Sequence, residues 1–164
     1  MPIDKPIKVG EKIPDVTLKT MTADGIKDLT TREIFGGKRV VLFALPGAFT
    51  PTCSAKHLPG FIENADKLRA KGVDRIVCLS VNDAFVMGAW AKAQSAGDKV
   101  LLVADGNAEF STAVGLAFDG SGFGMGTRSQ RYAMIVQDGV LKNLFVEKPM
   151  KFEVSSAEAV LAAL

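Results

Sequence analysis

Arg39-Val40-Val41-Leu42-Phe43-Ala44-Leu45, running straight into Pro46-Gly47-Ala48-Phe49-Thr50-Pro51-Thr52-Cys53, decides the fold. The first part is a nearly continuous apolar run. Its length and β-branching predict a central strand buried on both faces. The second part is rich in turn residues and predicts a constrained loop. A helical segment follows from about Cys53 to Lys71, ended by Gly72. Pro59 inside it lacks an N–H and should kink the helix or split off its first turn.

Working outward, Arg75 to Val81 (RIVCLSV) is a second buried strand and Val100 to Ala104 a third. Asp83 caps a helix reaching about Ala96, with Gly97 as its stop. Asn107 to Val114 is a short helix, followed by a glycine-rich loop from Gly120 to Gly126. Tyr132 to Val136 and Val140 to Val146 flank Asp138-Gly139, a strong hairpin signal. Ser155-Ser156-Ala157-Glu158 caps a last helix, with Glu158 placed to close a capping box. Upstream, Val16 to Lys19 alternates like a half-buried strand and Ala23-Asp24-Gly25 makes a turn. Thr31 to Phe35 forms a helical turn stopped by Gly36-Gly37. This order specifies an α/β fold with a mixed central sheet flanked by helices, and a thioredoxin-like arrangement fits it. A flavodoxin-like sheet is the nearest competitor, but the late hairpin argues against it.

The 164 residues fit one domain, 1–164, long enough to bury a core without disulfide staples. The formal charge of +2 arises from cations spread among anions, so no nucleic-acid partner is expected. Cys53 and Cys78 are the only cysteines, far too few for a secreted disulfide scaffold. The first 15 residues hold no apolar segment of the signal-peptide kind, and no apolar run approaches the ~20 residues of a membrane helix. A reducing, cytoplasmic location is the expectation, with no membrane partner.

Cys53 follows a buried strand and opens a helix, the place where α/β folds put their sites. Free N–H groups and the helix dipole at such a position favour thiolate over thiol. Thr50, three residues earlier, has a hydroxyl able to accept from and donate to a bound peroxide. Pro46 and Pro51 stiffen the loop. PGAFTPTC at 46–53 carries the Pro-x-x-x-Thr-x-x-Cys signature of the peroxiredoxins, and PGAFTPTCSAKHLPGF resembles their type II, Prx5-like subfamily. CLSVNDAFVMGAWAK from Cys78, RSQRYAMIVQDG from Arg128 and the terminal VSSAEAVLAAL agree with it. The resemblance spans about Ile7 to Leu164.

The resemblance implies a peroxidatic Cys53, a peroxide-binding Thr50, and a pocket shielded by Pro46 beside Gly47. The residues alone leave Arg128 and Arg131 equal as the thiolate's cation; the resemblance assigns Arg131, with Arg128 the weaker candidate and otherwise a supporting residue. It also implies reduction of hydrogen peroxide or an alkyl hydroperoxide through a sulfenic acid, without organic cofactor or metal. Glutathione with glutaredoxin, or thioredoxin as runner-up, would be the reductant, and a homodimer the assembly. Many animal members carry a resolving cysteine before the last helix, and the stretch from Val146 to Ser156 has none, which points to the one-cysteine branch. Competing classes are a peroxide-sensing redox switch acting through Cys53 without efficient turnover, and a non-catalytic thioredoxin-like binding module.

Other residues carry blander readings. His57, the sole histidine, sits four residues after Cys53 and could pair with it, but a structural hydrogen-bonding role is expected. Cys78, inside a buried strand, reads as an inert small hydrophobe rather than a resolving thiol. The Gly120 to Gly126 segment lacks the strand–loop–helix context of a nucleotide site and reads as a surface loop. Phe49 and Phe123 could line the pocket or a dimer interface.

Overall fold

The computed structural model describes residues 5–164. Strands β1 (Thr17–Thr22) and β2 (Gly25–Thr30) form a hairpin. Strands β3 (Arg39–Leu45), β4 (Arg75–Ser80) and β5 (Leu101–Ala104) run parallel. β6 (Ala117–Asp119) and β7 (Thr127–Ser129) make a small separate sheet, and β8 (Tyr132–Gln137) and β9 (Val140–Val146) a second hairpin. The main sheet has seven strands in the order β2-β1-β5-β4-β3-β8-β9. β8 joins β3 antiparallel, and β1 joins β5 antiparallel, so the sheet is mixed and thioredoxin-like.

β3 lies inside the sheet, between β4 and β8. From Val40 to Leu45 every side chain is buried, as an apolar strand covered on both faces demands. Alternation splits it: Val41, Phe43 and Leu45 share one core layer with Cys53, Leu58, Phe61, Cys78 and Trp90. Val40, Leu42 and Ala44 pack into the other with Ile34, Phe35, Phe110 and Tyr132. Both cysteines therefore occupy the same side of the sheet.

The helices are α1 (Thr31–Phe35), α2 (Leu58–Glu63), α3 (Ala65–Ala70), α4 (Ala84–Ala93), α5 (Glu109–Ala113) and α6 (Ala157–Ala163). Instead of one helix from Cys53 to Lys71 there is a π-helical turn, Cys53–His57, then α2 and α3. Leu58 N donates to the Cys53 carbonyl across five residues. Pro59, with no N–H to continue an α-helical ladder, marks where the π turn ends and α2 begins. A second break falls at Asn64, whose backbone (φ −98°, ψ 7°) leaves the helical region while its N–H (3.1 Å) and its Nδ2 (2.8 Å) both donate to the Gly60 carbonyl.

Four local expectations change. β2 follows the Ala23-Asp24-Gly25 turn as an added edge strand, which its exposed or half-buried side chains, without a strong apolar alternation, do not announce. The β6–β7 hairpin enclosing the glycine-rich loop was not foreseen, its strands being three residues each. α4 ends at Ala93, with Ser95 (φ 55°) already in the left-handed region before Gly97. The N-cap of α6 is Ser156, accepting from Ala159 N (3.1 Å), so Glu158 closes no capping box. Ser155 is engaged elsewhere.

Candidate active site

The loop at 46–53 leaves the carboxyl end of β3 and is tied down at several points. Ala48 N donates to Asn82 Oδ1 (3.0 Å), which also accepts from Ser80 Oγ (2.6 Å) at the end of β4. Phe49 takes φ 65°, a left-handed conformation unusual for a bulky residue, and its ring is 56% exposed. The Thr50 hydroxyl donates to the Gly47 carbonyl (2.6 Å). Its proton is thus committed, and its lone pairs stay available to a donor. A Cβ at Gly47 would stand 3.2 Å from both Arg128 Nη1 and Thr50 Cγ2, so glycine lets the loop close against both.

Cys53 opens the π turn and is fully buried. Arg131, the residue before β8, donates Nη2 to Cys53 Sγ at 3.1 Å. Its Nη1 contacts His57 Nδ1 at 2.9 Å, and His57 Nε2 contacts the Ser155 carbonyl at 3.0 Å. Guanidinium only donates and a carbonyl only accepts, so Nδ1 is the acceptor and Nε2 carries the proton. Burial, then the Arg131 charge, push the His57 pKa down to about 3 against the weaker pull of Ser155. The imidazole is therefore neutral, and it orients the arginine rather than pairing with the cysteine. The expected structural role for His57 holds, with a partner the sequence did not name.

Arg128 does not reach the thiol. Its Nε donates to the Met125 carbonyl (2.9 Å) and its Nη1 to the Pro46 carbonyl (3.5 Å). It straps the 120–126 loop to the cysteine loop, because β7 aims it at backbone oxygens rather than into the pocket. Cys78 is free and buried in β4, with its thiol pKa well above the usual value through burial and then the nearby Cys53; Arg131 opposes the shift only in part.

Sequence reasoning missed Asn82, which holds the loop, and Trp90, whose Nε1 donates to Ser54 Oγ (3.0 Å) beside the cysteine. It also missed Glu147 and Ser155, behind His57. Asn82, Trp90 and the Ser155 carbonyl act on residues far away in the chain, and Glu147, though near its donors at 153–155, sits in no local motif.

A buried thiol facing a guanidinium at the carboxyl end of a parallel strand is the apparatus of a thiol-based redox enzyme on a thioredoxin-like fold. The family model described as Redoxin matches residues 8–161. Peroxiredoxin-2E-2, chloroplastic, of Oryza sativa subsp. japonica is 55% identical over 163 residues, covering 96% of this chain and 72% of the relative. Peroxiredoxin-2B of Arabidopsis thaliana is 46% identical, over 97% of this chain and 99% of its own length. The structure of reduced Prx3 in complex with hydrogen peroxide from Vibrio vulnificus superposes with a TM-score of 0.92 at 55% identity, covering 96% of this chain and 98% of that one. The chain belongs to the Redoxin family and, within it, to the type II peroxiredoxins. It is a thiol-dependent peroxidase, with a peroxide as substrate and a thiol as reductant.

Proposed function

We propose that Cys53 is the peroxidatic nucleophile, Arg131 the cation that holds its thiolate, and Thr50 the acceptor for the peroxide O–H. The observation that carries this reading is the 3.1 Å contact from Arg131 Nη2 to Cys53 Sγ in a buried site. The thiolate sulfur attacks one peroxide oxygen; an S–O bond forms, the O–O bond breaks, and the other oxygen leaves as hydroxide or alkoxide and takes a proton. Sulfur is oxidised to sulfenic acid as the peroxide is reduced. A fixed guanidinium stabilises charge at both ends of this displacement without having to reorganise. Half-buried Pro46 and Thr50 mark the side from which a small hydroperoxide arrives.

The sulfenic acid is then reduced from outside, in a one-cysteine cycle. One external thiol displaces water from sulfur and forms a mixed disulfide; a second releases the Cys53 thiolate. Glutathione with glutaredoxin is the proposed reductant, ahead of thioredoxin. Supporting this, Cys78, the one other thiol, is held mid-strand in β4. Steady-state peroxide consumption with purified glutaredoxin and glutathione, against thioredoxin and its reductase, tests it. Turnover with thioredoxin alone overturns the order.

The reading takes 1–164 as one domain, supported by one main sheet and a family match over residues 8–161. A homodimer through the loops around Cys53 is proposed from exposed rings at Phe49, Phe85 and Phe123. The first lies in the cysteine loop, the second opens the helix after Asn82, and the third sits in the loop that Arg128 straps down. Sedimentation of Phe49→Asp against the parent protein checks this. A reducing, cytoplasmic setting suits two free thiols, and cell fractionation checks it.

A further inference from the structure

Glu147 follows β9 and is nearly buried, at 7% exposure. Its backbone N–H donates to the Arg131 carbonyl (2.9 Å), so it is moored beside the residue that bears the guanidinium. Its Oε2 accepts the N–H groups of Glu153 (2.8 Å), Val154 (2.9 Å) and Ser155 (2.8 Å), and the Ser155 hydroxyl (2.7 Å). The ion pairs among the described residues lie elsewhere, Lys19 with Asp28 and Arg32 with Asp15. Peptide and hydroxyl donors, rather than a cation, thus satisfy this carboxylate.

Those donors gather the chain at 153–155 into one fixed turn. The turn delivers the Ser155 carbonyl to His57 Nε2 at 3.0 Å, which dictates that Nδ1 faces Arg131 as an acceptor. The same segment supplies Phe152, whose ring packs edge-on to His57 (5.0 Å between centroids) and lies 5.9 Å from the Arg131 guanidinium carbon. One carboxylate therefore organises the whole rear wall of the Arg131–His57 pair.

We propose that Glu147 is a positioning residue for the peroxide reaction: it fixes the Ser155 carbonyl, hence the His57 tautomer, hence the aim of Arg131 at Cys53. This rests on the reading of Cys53 as nucleophile. Glu147 touches neither sulfur nor substrate. Burial pushes its carboxyl upward, but the hydrogen bonds from Ser155, Glu153 and Val154 outweigh that and hold it below the usual range, so it serves as an anion. A neutral acid or amide oxygen cannot hold the same set of donors. A merely structural carboxylate would matter for stability alone.

The test uses the intact protein, and its sole histidine makes it clean, since one pair of imidazole ¹⁵N signals reports the tautomer. In the parent protein Nε2 is protonated. In Glu147→Ala the His57 signals should move toward averaging between tautomers, and the bimolecular rate of Cys53 oxidation by hydrogen peroxide should fall by about 10²-fold, as misplacement of a catalytic group by roughly 1 Å can do. Glu147→Gln, which keeps the length and one acceptor oxygen, should recover part of both readings, and it decides the matter alone if the alanine variant does not fold. Parent-like rates in a folded variant, or slowed rates with unchanged His57 signals, overturn the proposal. If Cys53→Ser still consumes peroxide, the nucleophile assignment fails, while the imidazole signals of Glu147→Ala still report whether Glu147 sets the tautomer.

Discussion

Cys53 and Cys78 are both fully buried, and both pack into the core layer on the same side of the sheet. Solvent exposure does not separate them. Cys78 sits mid-strand, paired in register with Phe43, and burial leaves its thiol protonated. Cys53 sits past the end of β3, where a loop and a π turn admit the Arg131 guanidinium to its sulfur. In a dry interior, the donors that reach a thiol decide whether it reacts. The arginines repeat the lesson: Arg131 points into the pocket and Arg128, three residues earlier, onto carbonyl oxygens.

The largest effect that sharpens this contrast is expected from Cys53→Ser, which should abolish peroxide consumption; retained turnover would remove the basis for treating the two thiols differently. Next, Arg131→Ala should slow Cys53 oxidation by ~10²–10³-fold, the range for losing a donor to a developing charge. Arg131→Lys should restore little, because one ammonium cannot span Sγ and Nδ1 as a planar fork does. Competition for peroxide against a reference thiol measures both, and a larger loss in Arg128→Ala would mean the wrong arginine has been assigned.

A thermodynamic consequence follows from His57. Its pKa drops from 6.5 to about 3 on folding, so the folded protein binds fewer protons between those values. The stability this preserves is full above pH 6.5 and declines as pH falls toward about 3. By about two units below 6.5 the loss amounts to roughly 2–3 kcal/mol. Denaturant unfolding at a series of pH values should show this slope, and His57→Gln should flatten it above pH 4.5, where Glu147, lowered from 4.5, does not yet contribute. An unchanged slope would place a charged histidine in the fold. The smallest effect belongs to Cys78→Ala, which should change the peroxide rate by less than about twofold and stability by about 1 kcal/mol.

The parts of this architecture that the sequence made legible are those with local causes. The apolar run of β3, the Pro- and Thr-rich loop and Cys53 lie together in one stretch. Asp138-Gly139 does take the paired positive φ (47° and 78°) that such a hairpin turn demands. Legibility ended where the partner is distant. Ser155 looked like part of a helix cap because Glu158 is close in sequence, yet its hydroxyl goes to Glu147, eight residues upstream. His57 showed its proximity to Cys53 but not Arg131, which lies 74 residues away and only β8 brings near. The π turn, too, left no mark beyond Pro59, and the two arginines could be ranked only by family resemblance until β7 and β8 gave each a direction.

The most direct test of the central claim is mass spectrometry of the intact and digested protein after one equivalent of hydrogen peroxide, with and without glutathione. The account predicts oxidation confined to Cys53: sulfenic and then sulfinic acid without added thiol, a glutathione mixed disulfide with it, and an unmodified Cys78 in both. Oxidation first at Cys78, or a dominant Cys53–Cys78 disulfide, would contradict it.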